Sequence, residues 1–353
     1  MPTISFPHTS SQVNTVMVVK PADSAAREEP GKAAVSTTFT RPDGHKITYH
    51  TVGSAQLPLM LLVVGSSGLG ILYRRLALAL SAHFQCVYYD KRGFLPADTP
   101  EAFVANQKNR LILASDNADD AAAIIERISP HRPAYVFGTS TGGTAVLDLT
   151  VRFPNLVQTA VLHEPINFSV MPPSELKDEV LALYRSLFSF ENQVQGYKVF
   201  ADYMFRPQSQ ATSSALHESL RSQRRDQQGS GSPSPETSAP VRLSTSAQAF
   251  NARQGEQEAA AMLAYEVDVE AARSVKSKFL LVRGRESVGW PVSQAVEALA
   301  RALGGDQQVW ELVGDHLSFA GQWRVATFAE QLVGLLLRGD GVPLAEKERK
   351  ARL

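Results

Sequence analysis

The stretch "AYVFGTSTGGT" (residues 134–144) decides the fold, because an apolar run leads directly into a serine surrounded by glycines and small residues. Residues 138–142, GTSTG, match the pattern G-x-S-x-G, which marks a sharp strand-to-helix turn. Glycines lack a β-carbon and let strand and helix approach closely, while the hydroxyl of Ser140 projects from a strained backbone. The pattern predicts Ser140 as a nucleophile, and a purely structural turn of small residues is the alternative.

Short apolar runs on both sides of this turn predict the rest of the sheet. They are rich in β-branched and aromatic residues and read "LPLMLLVVG" (57–65), "FQCVYYD" (84–90), "PAYVFG" (133–138), "VQTAVLHEP" (157–165), "KFLLVRG" (278–284) and "QQVWELVG" (307–314). A hairpin with a Pro-Asp-Gly turn precedes them, in "STTFTRPDGHKITYH" (36–50). Helical patterns follow most of the runs, at Ile71 to His83, Ser115 to Ile128, Gly143 to Phe153, Pro291 to Leu303 and Gln322 to Leu337. Continuous apolar strands that alternate with helices predict an α/β fold with a mostly parallel, doubly wound sheet.

Changes in composition along the chain predict the domain organisation. Residues 1–35 show no periodicity, which favours a flexible N-terminal arm. Strand patterns are missing between Phe168 and Lys278, and this gap indicates an inserted, mainly helical cap. The predicted regions are residues 36–168 and 276–340 for the α/β core, 169–275 for the cap with a disordered, Gly/Ser/Pro-rich loop near 222–245, and 341–353 for a C-terminal tail.

The composition favours a small-molecule partner. The 353 residues contain 35 Lys and Arg against 35 Asp and Glu, so they lack the basic excess of a nucleic-acid-binding protein. Cys86 is the single cysteine, which excludes an intramolecular disulfide and a thiolate metal site. Apolar runs near the start, such as Val16 to Val19, are too short for a signal-peptide core or a membrane span. We expect no nucleic acid, membrane span, metal or cofactor, and the sequence leaves a homodimer open.

A serine hydroxyl needs a general base, and strand order selects one of the eight histidines. Only His316 follows the last predicted strand, in "ELVGDHLSFAG". The carboxyl ends of parallel strands meet at one edge of the sheet, where the turn at Ser140 also lies. His316 is therefore the candidate base.

Two carboxylates could orient this histidine. The commonest place is the loop after the penultimate strand, where "VRGRESVGW" has Ser287 at the expected offset and Glu286 one residue away. The other place is the end of the strand after the nucleophile helix, where "AVLHEPIN" supplies Glu164. A Glu-Pro step is expected to keep the backbone extended and to stop the sheet hydrogen bonds there, which favours Glu164 over Glu286. We expect the neighbouring His163 to face the opposite way and to be structural.

Backbone N–H groups are needed to stabilise an oxyanion, and two positions can supply them. One donor is predicted at Thr141, the residue after the nucleophile. The second is predicted in the Gly-rich loop "VVGSSGLG" (63–70), at Ser66 or alternatively Ser67. Phosphate binding by that loop is the competing interpretation, but the lysine and Ser/Thr of a nucleotide-binding loop and a G-x-G-x-x-G pattern are missing.

Taken together, these segments resemble the α/β-hydrolase superfamily. The resemblance covers roughly residues 40–168 and 276–338, and its motifs are "LLVVGSSG", "YYDKRGF", "FGTSTGGTAVLDL", "AVLHEP", "LVRGRES" and "VGDHLSFAG", in the family's order and spacing. A narrower subgroup, bacterial and fungal, has V-x-H-E-P at a strand end and a serine in the usual place of the acid, as this sequence does. The resemblance implies Ser140 as nucleophile, His316 as base and Glu164 as orienting acid. It also implies a structural role for Asp90 and Arg92 in "DKRG" (90–93).

The last residues carry a separate signal. The chain closes on "EKERKARL", and its tripeptide Ala351, Arg352 and Leu353 matches the small-basic-leucine pattern related to the S-K-L peroxisomal address. We expect recognition by a peroxisomal import receptor, with a charged, frayed helix end and a cytoplasmic location as the alternative. The chain also resembles fungal peroxisomal hydrolases of secondary metabolism.

These observations predict a serine hydrolase that cleaves an ester, a lactone or an acyl-CoA thioester of a small specialised metabolite. Peroxisomes handle acyl-CoA thioesters, which is why that class is included. A lyase or cyclase that uses the same pocket without an acyl-enzyme is one alternative, and a non-catalytic ligand-binding protein on the same scaffold is another.

Overall fold

A central sheet organises the computed structural model, which describes residues 34–66, 68–92, 113–174, 177–178, 261–321 and 324–338. Its eight strands are β1 (Val35–Thr40), β2 (Lys46–Val52), β3 (Leu59–Val63), β4 (Gln85–Tyr89), β5 (Ala134–Thr139), β6 (Val157–His163), β7 (Phe279–Gly284) and β8 (Val309–Leu312). They lie side by side in the order β1-β2-β4-β3-β5-β6-β7-β8. Strand β2 is antiparallel to both neighbours, and all pairings from β4 to β8 are parallel. The sheet is therefore mostly parallel, as the sequence predicts.

Helices cover both faces of this sheet. They are α1 (Arg74–Leu80), α2 (Ala114–Ile128), α3 (Thr141–Arg152), α4 (Val269–Ser274), α5 (Pro291–Ala302) and α6 (Val325–Val333), which continues as a π-helix over Gly334–Arg338. Helices α2 to α5 pack on one apolar core, and α1 and α6 pack on a second core across the sheet. This arrangement confirms the doubly wound α/β fold. Among the described residues, no helix is long and apolar enough to cross a membrane.

The strand order explains why the sequence shows continuous rather than alternating apolar runs. All five residues of β3 are buried, because helices contact both faces of this central strand. Strands β5 and β6 are also buried over most of their length. In helix α2, Ala118, Ala121 and Ile125 recur on one helical face and enter the core. The pattern of burial thus follows from the position of each element in the layers.

A partly buried ion cluster joins the hairpin, the end of β4 and helix α2. Arg92 donates to both carboxylate oxygens of Asp120, at 3.0 and 2.6 Å, and also to Asp43 at 3.0 Å. Arg41 donates to the same Asp120, which is only 1% exposed. Nearby, Asp90 accepts the backbone N–H of Gly70 at 2.8 Å. These contacts agree with the structural role expected for Asp90 and Arg92.

Several predicted regions fall outside the described residues. These are the N-terminal arm, most of the cap with its Gly/Ser/Pro-rich loop, and the C-terminal tail. The described part of the cap interval contains the helical residues 261–264 and helix α4, and no strand. The domain boundaries stay a prediction.

Candidate active site

The turn between β5 and α3 holds Ser140 in a strained conformation. Its φ is 56° and its ψ is −129°, a combination that residues with a β-carbon rarely adopt. The strand before it and the helix after it are fixed in the core, so the turn is enforced by the surrounding structure. Ser140 is 9% exposed and stands at the carboxyl edge of the sheet, as the sequence predicts.

Glycines on both sides of Ser140 make this turn sterically accessible. A β-carbon added at Gly138 would lie 2.5 Å from the carbonyl oxygen of Gly142, and one added at Gly142 would lie 2.3 Å from that of Val63. Real β-carbons do not approach backbone oxygens so closely, so only glycine fits at either position. The two glycines thus have the packing role that the sequence pattern predicts.

The loop after β3 lies beside the nucleophile candidate. A β-carbon added at Gly65 would be 3.3 Å from Cβ of Ser140, and Ser66 Oγ is 3.4 Å from Thr141 Oγ1. The two predicted oxyanion-donor positions, Ser66 and Thr141, are therefore neighbours. Thr141 is the first residue of α3, and N–H groups in a first helical turn have no partner within the helix. The alternative donor, Ser67, lies outside the described residues.

Glu164 follows β6 and turns its carboxylate into the protein. It is 0% exposed, and its Oε1 accepts the backbone N–H of Gly284 at 2.8 Å. Its Oε2 accepts a 2.7 Å hydrogen bond from Nδ1 of His316, which is also buried. The backbone at Glu164 has a φ of 45°, in the left-handed region. The expectation that the Glu-Pro step keeps this residue extended is therefore wrong, because the buried hydrogen bonds hold a strained turn instead.

The loop between β8 and α6 presents His316 to that carboxylate. Gly314 begins the loop with a φ of 110°, a conformation suited to glycine. Asp315 then closes a tight turn: its backbone N–H donates to Ser318 Oγ at 2.7 Å, and its Oδ1 accepts the N–H of Leu317 at 3.0 Å. These local bonds fix the backbone of His316 independently of its bond to Glu164.

Glu286, the alternative acid, lies elsewhere. Its carboxylate forms an ion pair with Arg324, and both side chains are about half exposed. Its backbone N–H donates to the carbonyl of Gly314 at 2.9 Å. Ser287, which occupies the usual place of the acid, is buried, and its hydroxyl has no hydrogen-bond partner in the described structure. The structure thus brings Glu164, and not Glu286, to His316.

The electrostatic environment favours an ionised Glu164. Burial alone raises the pKa of this carboxyl, but the hydrogen bond from His316, the electrostatic interactions with the imidazoles of His163 and His316, and the N–H of Gly284 outweigh it. The net result is a pKa of Glu164 below its usual value, so the group is a carboxylate at neutral pH. A buried carboxylate that accepts from Nδ1 fixes the tautomer of a histidine, so that the lone pair, which can accept a proton, is on Nε2.

His163 is a part of the site that sequence reasoning missed. Its ring stacks against that of His316, with centroids 5.9 Å apart and planes 20° apart. Burial, above all, lowers the pKa of His163 to about 4, so this imidazole is neutral at physiological pH. The expectation that His163 points away from the site is wrong. Its sequence signals are its place directly before Glu164 and its position in the V-x-H-E-P pattern.

Among the described residues, no group of three or more His, Cys, Asp or Glu side chains is arranged so that it could hold a metal ion. The described residues of the candidate site provide a serine hydroxyl, imidazole rings, a carboxylate and backbone N–H groups.

Comparisons with known proteins agree with this fold. Residues 58–284 match the model of the alpha/beta hydrolase fold family, and the chain belongs to that family. It is 34% identical over 134 residues to YraK, an uncharacterized hydrolase of Bacillus subtilis. That match covers 38% of this chain and spans less than half, 46%, of YraK.

Solved structures share the fold. A hydrolase from Pseudomonas aeruginosa has a TM-score of 0.54 at 15% identity, covering 86% of this chain and 98% of that one. The carboxylesterase CesB of Bacillus subtilis has a TM-score of 0.51 at 15% identity, covering 86% and 92%. At these identities the likeness concerns the fold alone.

The low pKa of His163 predicts a specific dependence of stability on pH. An unfolded histidine takes up its proton near pH 6.5, whereas the folded protein keeps His163 neutral until about pH 4. The unfolded state therefore binds more protons in this window, and the free energy of unfolding decreases as the pH falls through it. We expect His163→Phe to lack this part of the decrease in urea titrations at a series of pH values.

A matched control is His83→Phe, which replaces an exposed histidine and should keep the wild-type pH dependence. Parallel stability curves for the wild type and His163→Phe would contradict the assignment of this effect to His163.

Proposed function

We propose that this protein is a serine hydrolase that cleaves an ester, a lactone or an acyl-CoA thioester of a small specialised metabolite through an acyl-enzyme. The observation that carries the proposal is the 2.7 Å hydrogen bond between His316 and the buried Glu164, at the same sheet edge as Ser140 in its strained turn. Nucleophile, base and orienting carboxylate are the three groups that acyl transfer by serine requires.

In the first step, Ser140 Oγ attacks the carbonyl carbon of the substrate, and His316 Nε2 accepts the hydroxyl proton. Glu164 stabilises the imidazolium that forms, because its carboxylate already accepts from Nδ1. The negative charge that develops on the carbonyl oxygen is stabilised by the backbone N–H groups of Thr141 and Ser66. The carbon–oxygen or carbon–sulfur bond then breaks, and His316 returns the proton to the leaving group.

In the second step, His316 deprotonates a water molecule that attacks the acyl-enzyme. The tetrahedral intermediate collapses, the free acid leaves, and Ser140 recovers its proton from His316. An ester or thioester gives one carboxylic acid and one alcohol or thiol, a lactone gives a single hydroxy acid, and no redox partner is consumed.

Relatives support hydrolysis in general terms. The name of YraK describes a hydrolase and that of CesB a carboxylesterase, and cleavage of a carboxylic ester by an activated serine attacks a carbonyl carbon. The substrate is a finer proposal, which rests on the V-x-H-E-P pattern and on the resemblance to fungal peroxisomal hydrolases of secondary metabolism. Most of the predicted cap, where we expect the substrate to be selected, lies outside the described residues.

The first prediction of this proposed function concerns Ser140 directly. We expect purified protein to release acid from a panel of paired oxygen esters, lactones and acyl-CoA thioesters, and Ser140→Ala to lower kcat by at least about 10³-fold, because the nucleophile is lost. The measurement is free thiol and free acid released with time. Turnover that survives in Ser140→Ala would contradict the proposal, and turnover without a covalent adduct would favour a lyase or cyclase instead.

The second prediction separates the two candidate acids. In Glu164→Gln, the amide oxygen is expected to keep accepting from Gly284, which turns the amide NH2 toward His316 Nδ1 and stabilises the wrong tautomer. We expect kcat to fall by roughly 10²- to 10⁴-fold. Glu286→Gln is the matched control and should stay within about threefold of the wild type, because an exposed ion pair contributes little. The opposite ranking of the two variants would refute the assignment of Glu164.

The peroxisomal location stays a prediction from Ala351, Arg352 and Leu353, which lie outside the described residues. A fluorescent protein fused in front of the chain is expected to accumulate in peroxisomes of a fungal host. Removal of the last three residues should leave it in the cytoplasm, and an unchanged distribution would count against the import signal.

A further inference from the structure

One residue outside the proposed catalytic set contacts all three of its members. The carbonyl oxygen of His163 accepts the backbone N–H of Ser140 at 3.2 Å. Its own peptide bond leads into Glu164, and its ring stacks on that of His316 at 5.9 Å. His163 is 0% exposed and ends strand β6. His163 is therefore connected, through its backbone or its ring, to each of the three candidate catalytic residues.

The packing around the ring of His163 leaves it one orientation. The ring stacks at 23° on Phe137 and meets the edge of Phe328 with centroids 5.3 Å apart. Its Nδ1 forms a 2.9 Å hydrogen bond with the hydroxyl of Thr139, the residue before Ser140. Aromatic packing sets the plane of the ring, and this single hydrogen bond prevents its rotation within the plane.

Burying an imidazole at this position has an energetic cost. Nε2 of His163 has no hydrogen-bond partner in the described structure, and an unsatisfied buried polar atom is destabilising. An aromatic hydrocarbon would fill the same space without that cost. The stability of the core thus does not require an imidazole here, and the feature of His163 that reaches the site is its flat ring against His316.

We propose that His163 is a positioning residue: its flat ring supports the ring of His316 in the plane from which His316 can bond Glu164 on one side and serve Ser140 on the other. This inference rests on the proposed function and extends it. A second histidine directly against His316 must stay uncharged when His316 becomes an imidazolium, because two adjacent positive charges repel each other. The charged groups that act on His163 are Glu164, Asp315 and His316.

Loss of the stacking contact between His163 and His316 is expected to affect one kinetic constant more than the other. A tilted His316 would still allow the substrate to bind, but it would transfer the proton less efficiently in the transition state. Misplacement of a catalytic group by about 1 Å can cost on the order of 10²-fold in rate. Loss of the support is therefore expected in kcat rather than in KM.

The test compares two substitutions with a control. We expect His163→Ala to lower kcat at least about tenfold with KM within about threefold of the wild type, because the base loses its support. His163→Phe keeps a flat ring of similar size and should restore kcat to within about threefold of the wild type. Phe84→Leu makes a cavity in the same core but at the opposite, amino-terminal edge of the sheet, and should leave kcat unchanged.

A second readout does not depend on turnover. The Nδ1 proton that His316 donates to Glu164 is expected to give a low-field resonance in proton NMR spectra of the wild type and of His163→Phe. The same resonance should broaden or vanish in His163→Ala, in which the ring of His316 becomes mobile. If the wild type shows this resonance but no Ser140-dependent turnover, the proposed function fails. The effect of His163→Ala on the resonance then still tests whether His163 positions His316.

Three results would overturn the inference. The first is a folded His163→Ala protein with wild-type kcat and an unchanged His316 resonance. The second is a loss that appears in KM alone, and the third is a His163→Phe variant as impaired as His163→Ala, which would show that stacking is not the relevant contact.

Discussion

The site depends on one buried hydrogen bond, from Nδ1 of His316 to Glu164, which joins residues 152 positions apart in the chain. A buried carboxylate is costly unless it is paired and hydrogen-bonded, and both conditions are met here. The second oxygen of Glu164 accepts from Gly284 at the end of β7, so three loops converge on one side chain. Removal of either partner would leave an uncompensated charge or an unoriented imidazole at the sheet edge.

Backbone strain marks the same place. Within the described ranges, Ser140 and Glu164 are the two residues other than glycine with a positive φ, and they directly follow the neighbouring strands β5 and β6. Strained residues persist only where surrounding structure enforces them, and here the buried strands and helix α3 do so. The packed core therefore holds the side chains of Ser140 and Glu164 in directions that an unstrained backbone would not give them. His163 directly precedes Glu164 in the chain.

The fold and the positions of two candidate site residues were predictable because they follow from local patterns and strand order. Ser140 is marked by its glycines, and His316 by its place after the last strand. The choice between the two acids could not be settled from the sequence, because Glu164 and Glu286 both follow strands that end at one edge of the sheet. In the structure, the side chain of Glu286 points outward and pairs with Arg324. The contact between His163 and His316 could not be predicted from strand periodicity. Successive side chains point to opposite faces only while a strand stays extended, and the backbone turns at Glu164.

The most direct test of the central claim is covalent labelling of the wild-type protein with a fluorophosphonate, followed by intact mass measurement and peptide mapping. Such reagents modify serines that an adjacent base activates, without requiring knowledge of the natural substrate. The account predicts one adduct, on Ser140, formed far more slowly when His316 is replaced by Ala. Absence of labelling, or labelling of Ser140 at the same rate without His316, would contradict it.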